Sequence, residues 1–295
     1  MAVRSGPALL LYAKIPVAGT WPGRSKGFYG FLWLFNLVRL CWFIEIFVRF
    51  LLYNIRYCTG IGPRFHLPVP YAGYLKRSTR ILDEIIGFFE QVKPDIIGLV
   101  EVDNGSFRTH HLCQAEQIAL RLGHYHVVES KYGVGSVADK VPLLNRQGNA
   151  VLSRFPIVKH RFHYFEQGVK RLVIEVRLAS LTIFLVHLSL TYRNRQYQLE
   201  RLYRLIHGVE GPVIVAGDFN VLWGDKELDL FLGATGLLNA NLKRQPSHPS
   251  RSPKRQLDFI LHSPDIKVTN FQIPHVLYSD HAPLICDFES PSLLS

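Results

Sequence analysis

The chain has 295 residues, of which 48% are hydrophobic, enough to fill the core of one α/β domain. Its formal net charge of +11 suits a polyanionic partner such as nucleic acid or an anionic membrane, although such charge also serves only to keep a protein soluble. The four cysteines are widely spaced without a CxxC motif, which excludes a zinc site or a disulfide framework and weakly favours a reducing compartment. We therefore expect a cytoplasmic location.

Residues 1–48 differ from the rest because they are basic and, from Phe28 to Val48, almost continuously apolar. This stretch is about as long as the ~20 residues that span a bilayer. Arg39 and Glu45 argue against a spanning helix, because a charge at mid-membrane costs roughly 2.5–3.5 kcal/mol. Two alternatives remain open: a membrane anchor or interfacial helix over 28–48, or an extension foreign to the natural protein, with translation starting at Val48.

The remaining chain divides into a domain over 49–289 and a short tail over 290–295. Within the domain, hydrophobic periodicity predicts alternating strands and helices without a fixed repeat. Apolar residues at helical spacing and flanking cap or stop residues predict helices from Ser78 to Pro94, over 111–122 and over 194–207. The predicted strands are 49–56, 95–101, 148–153, 159–165, 170–178, 181–187, 213–217, 257–261, 266–271 and 282–288.

Two long segments without periodicity, 59–76 and 132–147, are candidate walls of a substrate site, since long loops in a compact domain often carry function. A third basic segment runs from Lys243 to Arg255. We single out Tyr74 and Arg255 as candidate substrate contacts. Each of these residues could equally belong to a solvated loop.

Several predicted strands end in a polar residue that can bind a metal or contact a phosphate. The clearest case is the run from Val213 to Gly217, which is followed by Asp218 and Asn220, so that both side chains could project into one pocket. Taken singly, each such ending is explained equally well by a turn or an exposed strand end. The ordered set is much less expected by chance: Asn54, Glu101, His187, Asp218 with Asn220, and Asp280 with His281.

This order and its flanking residues resemble the endonuclease/exonuclease/phosphatase superfamily, from about Arg49 to Phe288. The resemblance implies a four-layer α/β sandwich, in which two packed mixed sheets are flanked by helices. It is specific for the superfamily but not for a substrate. The motifs are YNIR at 53–56, PDIIGLVEVD at 94–103, GNAVLSRFPI at 148–157, VHLSL at 186–190, GDFN at 217–220, LDFIL at 257–261 and SDHAPL at 279–284.

Phosphoester hydrolysis needs a divalent cation with oxygen ligands, a poised water and stabilisation of the developing charge. Hard oxygen ligands favour Mg²⁺ or Mn²⁺, for which we expect Glu101 as the main ligand, joined by Asn54 and Asp280. The resemblance implies that Asp218 orients or deprotonates the attacking water. It also implies that Asn220 and His187 donate to phosphoryl oxygens.

The LDFIL motif supplies Asp258, which matches the family's orienting acid for His281. An aspartate in this position holds the imidazole and raises its basicity. His281 could then clamp the phosphate or act as the base, and the sequence leaves the choice between Asp218 and His281 open.

We predict a metal-dependent hydrolase of phosphoesters, with a nuclease-type phosphodiesterase favoured by the positive charge. The alternative is a phosphodiesterase or phosphatase acting on a phospholipid or another small phosphoester at a membrane. A binding module without catalysis is disfavoured, since no expected catalytic position is replaced. No segment indicates a protein partner, and the fold alone cannot name the substrate.

Overall fold

The computed structural model describes residues 46–61, 79–132 and 144–290. Most of the predicted N-terminal extension, the tail after Ser290 and the candidate Tyr74 lie outside these residues. The last three residues of the predicted extension belong to the first strand, which begins at Ile46. Among the described residues, no helix is both long and apolar enough to cross a membrane.

The first of two mixed sheets joins strands that are far apart in the chain. Its strand order is β11-β12-β1-β2-β4-β3. Strands β1 and β2 are parallel, and β12 and β4 flank them in the antiparallel direction. Its members are β1 (Ile46–Asn54), β2 (Ile96–Asp103), β3 (Tyr125–Ser130), β4 (Gln147–Ser153), β11 (Lys267–Gln272) and β12 (Leu284–Ser290).

The second sheet has the order β5-β6-β7-β8-β10-β9. Strands β7 and β8 are parallel, whereas β10 runs antiparallel to β8 and places Asp258 directly opposite Asp218. Its members are β5 (Lys159–Tyr164), β6 (Leu172–Arg177), β7 (Thr182–His187), β8 (Val213–Asp218), β9 (Leu238–Asn239) and β10 (Asp258–His262).

Apolar side chains from both sheets meet in a central core, which includes Phe50, Ile174 and Leu185. Each sheet buries its outer face under helices, because β-strands with apolar residues on both faces need cover on both sides. Helices α1 (Thr79–Val92) and α2 (Gln114–Leu122) cover the first sheet, and α3 (Tyr192–His207) and α4 (Asp229–Thr235) cover the second. The predicted four-layer α/β sandwich is confirmed.

Some elements differ from the predicted ones. Helix α2 begins three residues later than predicted, because His110 and His111 adopt positive φ angles of 53° and 65° that end the preceding 3-10 turn. Strands β3 and β9 and helix α4 are not among the predicted elements, because they are short or lie at sheet edges. In α3, the buried face includes the polar residues Arg195 and Gln198, which hydropathy does not reveal.

The strand directions place the polar candidate residues at one edge of the sandwich. Strands β1 and β2 are parallel and end there, as do β7 and β8 in the other sheet. Strands β10 and β12 run the opposite way, so residues at or before their first positions reach the same edge. Polar residues separated by more than 200 positions in the chain therefore meet: Ser279 Oγ donates to the backbone oxygen of Asn54 at 2.7 Å.

Candidate active site

Unusual backbone conformations position two of the predicted site residues. Glu101 has φ +59° and lies in an irregularity of the pairing between β2 and β4. Asn220 has φ +51°. Non-glycine residues with positive φ are uncommon, and such strain concentrates at functional sites.

Gly217 allows the close approach of β7 and β8 just before this site. Its φ is +151°, and a Cβ there would lie 1.9 Å from the backbone oxygen of Val186. Only glycine fits without a shift of the backbone. The glycine of the GDFN motif is thus required by packing, directly before Asp218.

Asp218 lies at the centre of the site and is buried. Its Oδ2 accepts a hydrogen bond of 3.1 Å from Asn54 Nδ2. The same oxygen lies 3.4 Å from His187 Nε2 and 3.9 Å from His281 Nε2. The fold therefore brings three of the predicted residues, from both sheets, to one carboxylate oxygen of a fourth.

His281 is paired with Asp258, as the sequence analysis expected for that motif. His281 Nδ1 lies 2.8 Å from Asp258 Oδ2, which also accepts a 2.6 Å hydrogen bond from Ser247 Oγ. The other carboxylate oxygen, Oδ1, is buried without a hydrogen-bond partner among the described residues. This carboxylate thus retains acceptor capacity inside the site.

Asn220 contacts the backbone in this structure. Its Nδ2 donates to the oxygen of Leu188 at 2.9 Å, and its backbone N–H donates to Asp218 Oδ1 at 3.0 Å. These bonds connect the segment after β8 to the segment after β7. The second bond holds the Asp218 carboxylate through Oδ1, the oxygen that does not accept from Asn54.

Two lysines, Lys131 and Lys170, face Glu101. The Nζ atoms of Lys131 and Lys170 lie 3.6 Å and 3.9 Å from Glu101 Oε1, and His187 Nε2 is also 3.9 Å away. Burial alone would raise the pKa of Glu101, but the charges of Lys131 and Lys170 outweigh it and hold the pKa below its ordinary value. Glu101 is therefore ionised near neutral pH.

The pKa values of the two histidines of the site, His187 and His281, are shifted in opposite directions. Burial, helped by the nearby Lys170, lowers the pKa of His187 to about 4, so this ring is neutral near pH 7. Burial disfavours the charged form of His281, but the carboxylates of Asp258, Asp280 and Asp218 outweigh it and raise the pKa to about 10. Two imidazoles at one site thus have opposite protonation states.

Asp218 and Asp280 are also held ionised, whereas burial raises the pKa of Asp258 above its ordinary value despite the opposing charge of His281. Burial opposes the charge of Asp218, yet its hydrogen bond with His187 and the charge of His281 lower its pKa well below the ordinary range. For Asp280, burial is outweighed by His281 and by His248, whose Nε2 lies 3.8 Å from Asp280 Oδ2, and the pKa falls to about 2. The site is therefore rich in negative charge.

The donor set fits a divalent cation. The ligand atoms of Asp218, Asp258 and His281 lie within 4.8 Å of one another, and those of His248, Asp280 and His281 form a second such group. Glu101 adds an ionised carboxylate with two ammonium groups already beside it. The group with two carboxylates, Asp218, Asp258 and His281, suits Mg²⁺ or Mn²⁺. The group with two imidazoles, His248, Asp280 and His281, suits other first-row metals.

The other sequence candidates have different locations. Arg255 is exposed and lies in the loop before β10, where its backbone N–H donates to His248 O at 2.9 Å. Sequence reasoning missed His248, whose ring centroid is 4.7 Å from that of His281. It also missed Lys170, which lies two positions before β6. Only the sheet order shows that β6 begins at the edge where the site lies.

A family model for the Endonuclease/Exonuclease/phosphatase family matches residues 51–281, which include every described residue of this site. The chain belongs to this family. Its members are metal-dependent phosphoesterases and nucleases, so the endonuclease/exonuclease/phosphatase resemblance seen in the sequence is confirmed.

Two curated relatives are the UPF0294 proteins of Yersinia pseudotuberculosis serotype O:1b and Yersinia pestis. Each is 29% identical to this chain over 154 residues, covering 51% of this chain and 52% of the relative. The chain thus spans about half the length of the curated relatives it matches.

Solved structures of the endonuclease/exonuclease/phosphatase family share the fold. Humanized D. rerio TDP2 superposes with a TM-score of 0.60 at 14% identity, covering 83% of this chain and 99% of that one. The mannosyl-6-phosphatase Bt3783 of Bacteroides thetaiotaomicron gives 0.60 at 17% identity, with 82% and 99% covered. The human Nocturnin catalytic domain gives 0.58 at 20% identity, with 84% and 97% covered. At these identities the likeness shows the fold alone.

Proposed function

We propose that the protein is a metal-dependent phosphodiesterase of nuclease type, which hydrolyses its substrate with a metal-assisted water. The observation that carries this proposal is the convergence of Asn54, His187 and His281 on one oxygen of Asp218, beside the ionised Glu101. Such a cluster supplies a water-orienting carboxylate, a neutral hydrogen-bond donor and a charged imidazole at one point. These are the groups that phosphoester hydrolysis requires.

Glu101, Asn54 and Asp280 would hold Mg²⁺ or Mn²⁺. The bound cation would supply charge neutralisation at the phosphate and lower the pKa of a water molecule. Asp218 would hold that water in line and accept its proton. Neutral His187 and Asn220 would donate hydrogen bonds to phosphoryl oxygens, and Asn220 would first have to exchange its bond with the Leu188 carbonyl.

His281 would act in its charged form, as a phosphate clamp or as the acid that protonates the leaving oxygen. Its raised pKa favours this role over that of a base. Asp258 would keep the ring oriented through the 2.8 Å bond to Nδ1. Since His281 is already protonated, Asp218 is the remaining candidate for the group that orients the water and accepts its proton.

The basic loop over 243–255 supports a polyanionic substrate. It is joined to the site directly, since Ser247 Oγ donates to Asp258 and Ser250 N donates to the oxygen of Asp280 at 2.6 Å. The side chains of its five basic residues are exposed: Lys243, Arg244, Arg251, Lys254 and Arg255. A strand of nucleic acid at the site would pass along this loop, and D. rerio TDP2 has been solved with a single-strand DNA product.

The proposal is tested by the salt dependence of substrate binding. Counterion release predicts that removing contacts to two phosphates makes the log-log slope shallower by roughly 1.4–1.8. We expect this change in the double variant Lys254→Gln, Arg255→Gln, measured as the affinity for an oligonucleotide at several salt concentrations. The matched control is Lys159→Gln, Arg161→Gln on β5, where both side chains are also exposed.

A second candidate function, hydrolysis of a small phosphoester, is favoured by a cavity of about 400 Å³ beside Glu101. The similar fold of a mannosyl-6-phosphatase fits this candidate. The membrane version of this alternative concerns 28–48, of which 28–45 lie outside the described residues.

A substrate panel with Mg²⁺ separates the two candidates: plasmid, abasic duplex, single-stranded RNA, sphingomyelin vesicles and inositol phosphates. Rapid cleavage of a small phosphoester or vesicle lipid, with every polynucleotide intact at low salt, would refute the nuclease assignment.

A further inference from the structure

Lys131 and Lys170 line the cavity beside Glu101, at the edge where the two sheets meet. The described lining also includes Tyr57, Tyr132, Val169 and Leu190. Neither lysine is close in sequence to any of the polar strand ends. Both reach the site because β3 ends, and β6 begins, at that edge.

Lys131 is held rigidly although its side chain is almost fully buried, with 2% of the residue exposed. Its Nζ donates to Tyr57 Oη and lies 4.9 Å from the centroid of the Tyr57 ring. Tyr57 Oη in turn donates to Gln147 Oε1 at 3.0 Å. A buried ammonium is costly unless it is paired, and here the charged partner is Glu101.

Tyr57 lies in a turn that follows β1 directly. Its φ is +55°, and Arg56 and Cys58 also have positive φ angles. The guanidinium carbon of Arg108 lies 5.0 Å from the Tyr57 ring, and Arg108 is itself fixed by a fully buried ion pair of 2.8 Å with Asp103. The strained turn thus supports the residue that positions the Lys131 ammonium.

Lys170 approaches from the other sheet. Its backbone oxygen accepts a 2.7 Å hydrogen bond from Gln198 of α3, and its Nζ lies beside His187 Nε2 and 3.9 Å from Glu101. The two ammonium groups therefore face the same carboxylate oxygen from opposite sheets. A divalent cation held by Glu101 would share the charge of this carboxylate, and both lysines would then be able to pair with another anion.

Charge balance indicates what that anion is. Asp258 is paired with the charged His281, so one divalent cation would have to balance Glu101, Asp218 and Asp280 and would leave one negative charge. Without the lysines the site would repel an anionic phosphate. With them, it presents a positive wall where the phosphate must bind.

We propose that Lys131 and Lys170 form a specificity-determining pair that binds the non-bridging oxygens of the substrate phosphate, and that the cavity accepts one substituent of the phosphoester. This inference rests on the proposed function. The apolar side chains at the cavity rim include Val169 and Leu190, which are 70% and 56% exposed, and the half-buried Tyr132 also lines the cavity. An apolar-rimmed cavity next to two cations fits a nucleotide, with its phosphate on the lysines and its base against the rim.

The test uses the full chain with Mg²⁺ and measures the binding of thymidine 5′-monophosphate by calorimetry, together with kcat and KM for its p-nitrophenyl ester. Lys170→Met is expected to weaken binding and raise KM by at least about 10-fold, since a hydrogen bond to a charged group contributes roughly 1.5–3 kcal/mol. Lys131→Met is expected to do the same, and Lys170→Arg should restore part of the affinity. Leu190→Ala should weaken the binding of thymidine 5′-monophosphate but leave the binding of inorganic phosphate unchanged.

The matched control is Lys159→Met, an exposed lysine at the opposite end of the second sheet. If anion binding depends on the two lysines but the protein has no phosphodiesterase activity, the phosphate-binding role of the pair is supported and the proposed function is refuted. Unchanged binding of both anions in folded Lys170→Met would overturn the pair itself. If Lys131→Met does not fold, Lys170→Met alone decides, because its side chain is partly exposed.

Discussion

His281 Nδ1 lies 2.8 Å from Asp258 Oδ2, and both residues are buried. The bond fixes the ring so that its other nitrogen points toward Asp218. Since the two aspartates lie on neighbouring antiparallel strands, the distance between them is set by the β8–β10 register rather than by a flexible loop.

Replacing Asp258 with asparagine should lower the pKa of His281, because it removes the nearest of the charges that raise it to about 10. The ring proton signals of His281 in an NMR titration would show this directly. Wild-type His281 should stay charged up to about pH 10, whereas the variant should titrate at a lower pH. An unchanged titration would contradict the pairing.

The same pairing has a consequence for stability. Because the folded-state pKa of His281 is raised from 6.5 to about 10, its contribution to the free energy of unfolding is complete below pH 6.5. It should be lost as the pH rises from 6.5 through about 10. Denaturant titrations of wild type and Asp258→Asn should therefore differ more at pH 6 than at pH 10.

Two variants should distinguish the effect of lost metal binding from the effect of lost proton transfer. Glu101→Gln removes the proposed ligand charge, so it should raise the Mg²⁺ concentration needed for half-maximal activity. Asp218→Asn should lower kcat at saturating Mg²⁺ by at least ~100-fold, as is typical of a general base. Steady-state kinetics over a range of Mg²⁺ concentrations measure both effects, and EDTA should abolish activity of the wild type.

Full activity in EDTA would refute the metal-dependent mechanism. Near-normal turnover of Asp218→Asn at saturating Mg²⁺ would overturn the assignment of the base.

Gly217→Ala should destabilise the fold severely, since its Cβ would lie 1.9 Å from the Val186 backbone oxygen. We expect a loss of more than about 3 kcal/mol, because backbone strain and overpacking both contribute. Gly87→Ala is the matched control, since Gly87 lies in α1 with no atom within 4 Å of an added Cβ. Alanine there should stabilise by about 0.5–1 kcal/mol. Thermal unfolding measures both, and equal melting temperatures of the two variants would contradict the packing argument.

Asp287→Asn tests the ion pair between Asp287 and Arg49, whose atoms Oδ1 and Nε are 2.7 Å apart. The hydrogen bond with Arg49 lowers the pKa of Asp287 below 3.8, so the pair stabilises above that pH and the stabilisation is lost as the pH falls through the folded-state pKa. Arg49 is partly exposed, and we expect only about 1 kcal/mol at pH 7.

Urea titrations at pH 7 and below pH 3 would measure this effect. Glu84→Gln serves as the control, because it removes an exposed ion pair with Arg80 and should change stability by less than the Asp287 variant. A difference between wild type and Asp287→Asn that persists unchanged in acid would rule out the charge as its cause.

The sequence by itself determined the layers of the fold and predicted a set of site residues. Apolar runs of strand length, alternating with helical periodicity, are local signals that the chain carries regardless of its partners. The polar residues at strand ends were therefore visible as a set, and the structure brings Asn54, His187, Asp218 and His281 together as their motif order predicts.

Only the tertiary structure placed Lys131 and Lys170 beside Glu101 and His248 beside His281. Lys131 follows an edge strand that periodicity did not show, and Lys170 belongs to the site because β6 runs antiparallel to β7. The opposite protonation states of His187 and His281 likewise depend on which charges surround each ring. Strand order, burial and the distances between charges are properties of pairs of distant residues, and no local pattern in the chain encodes them.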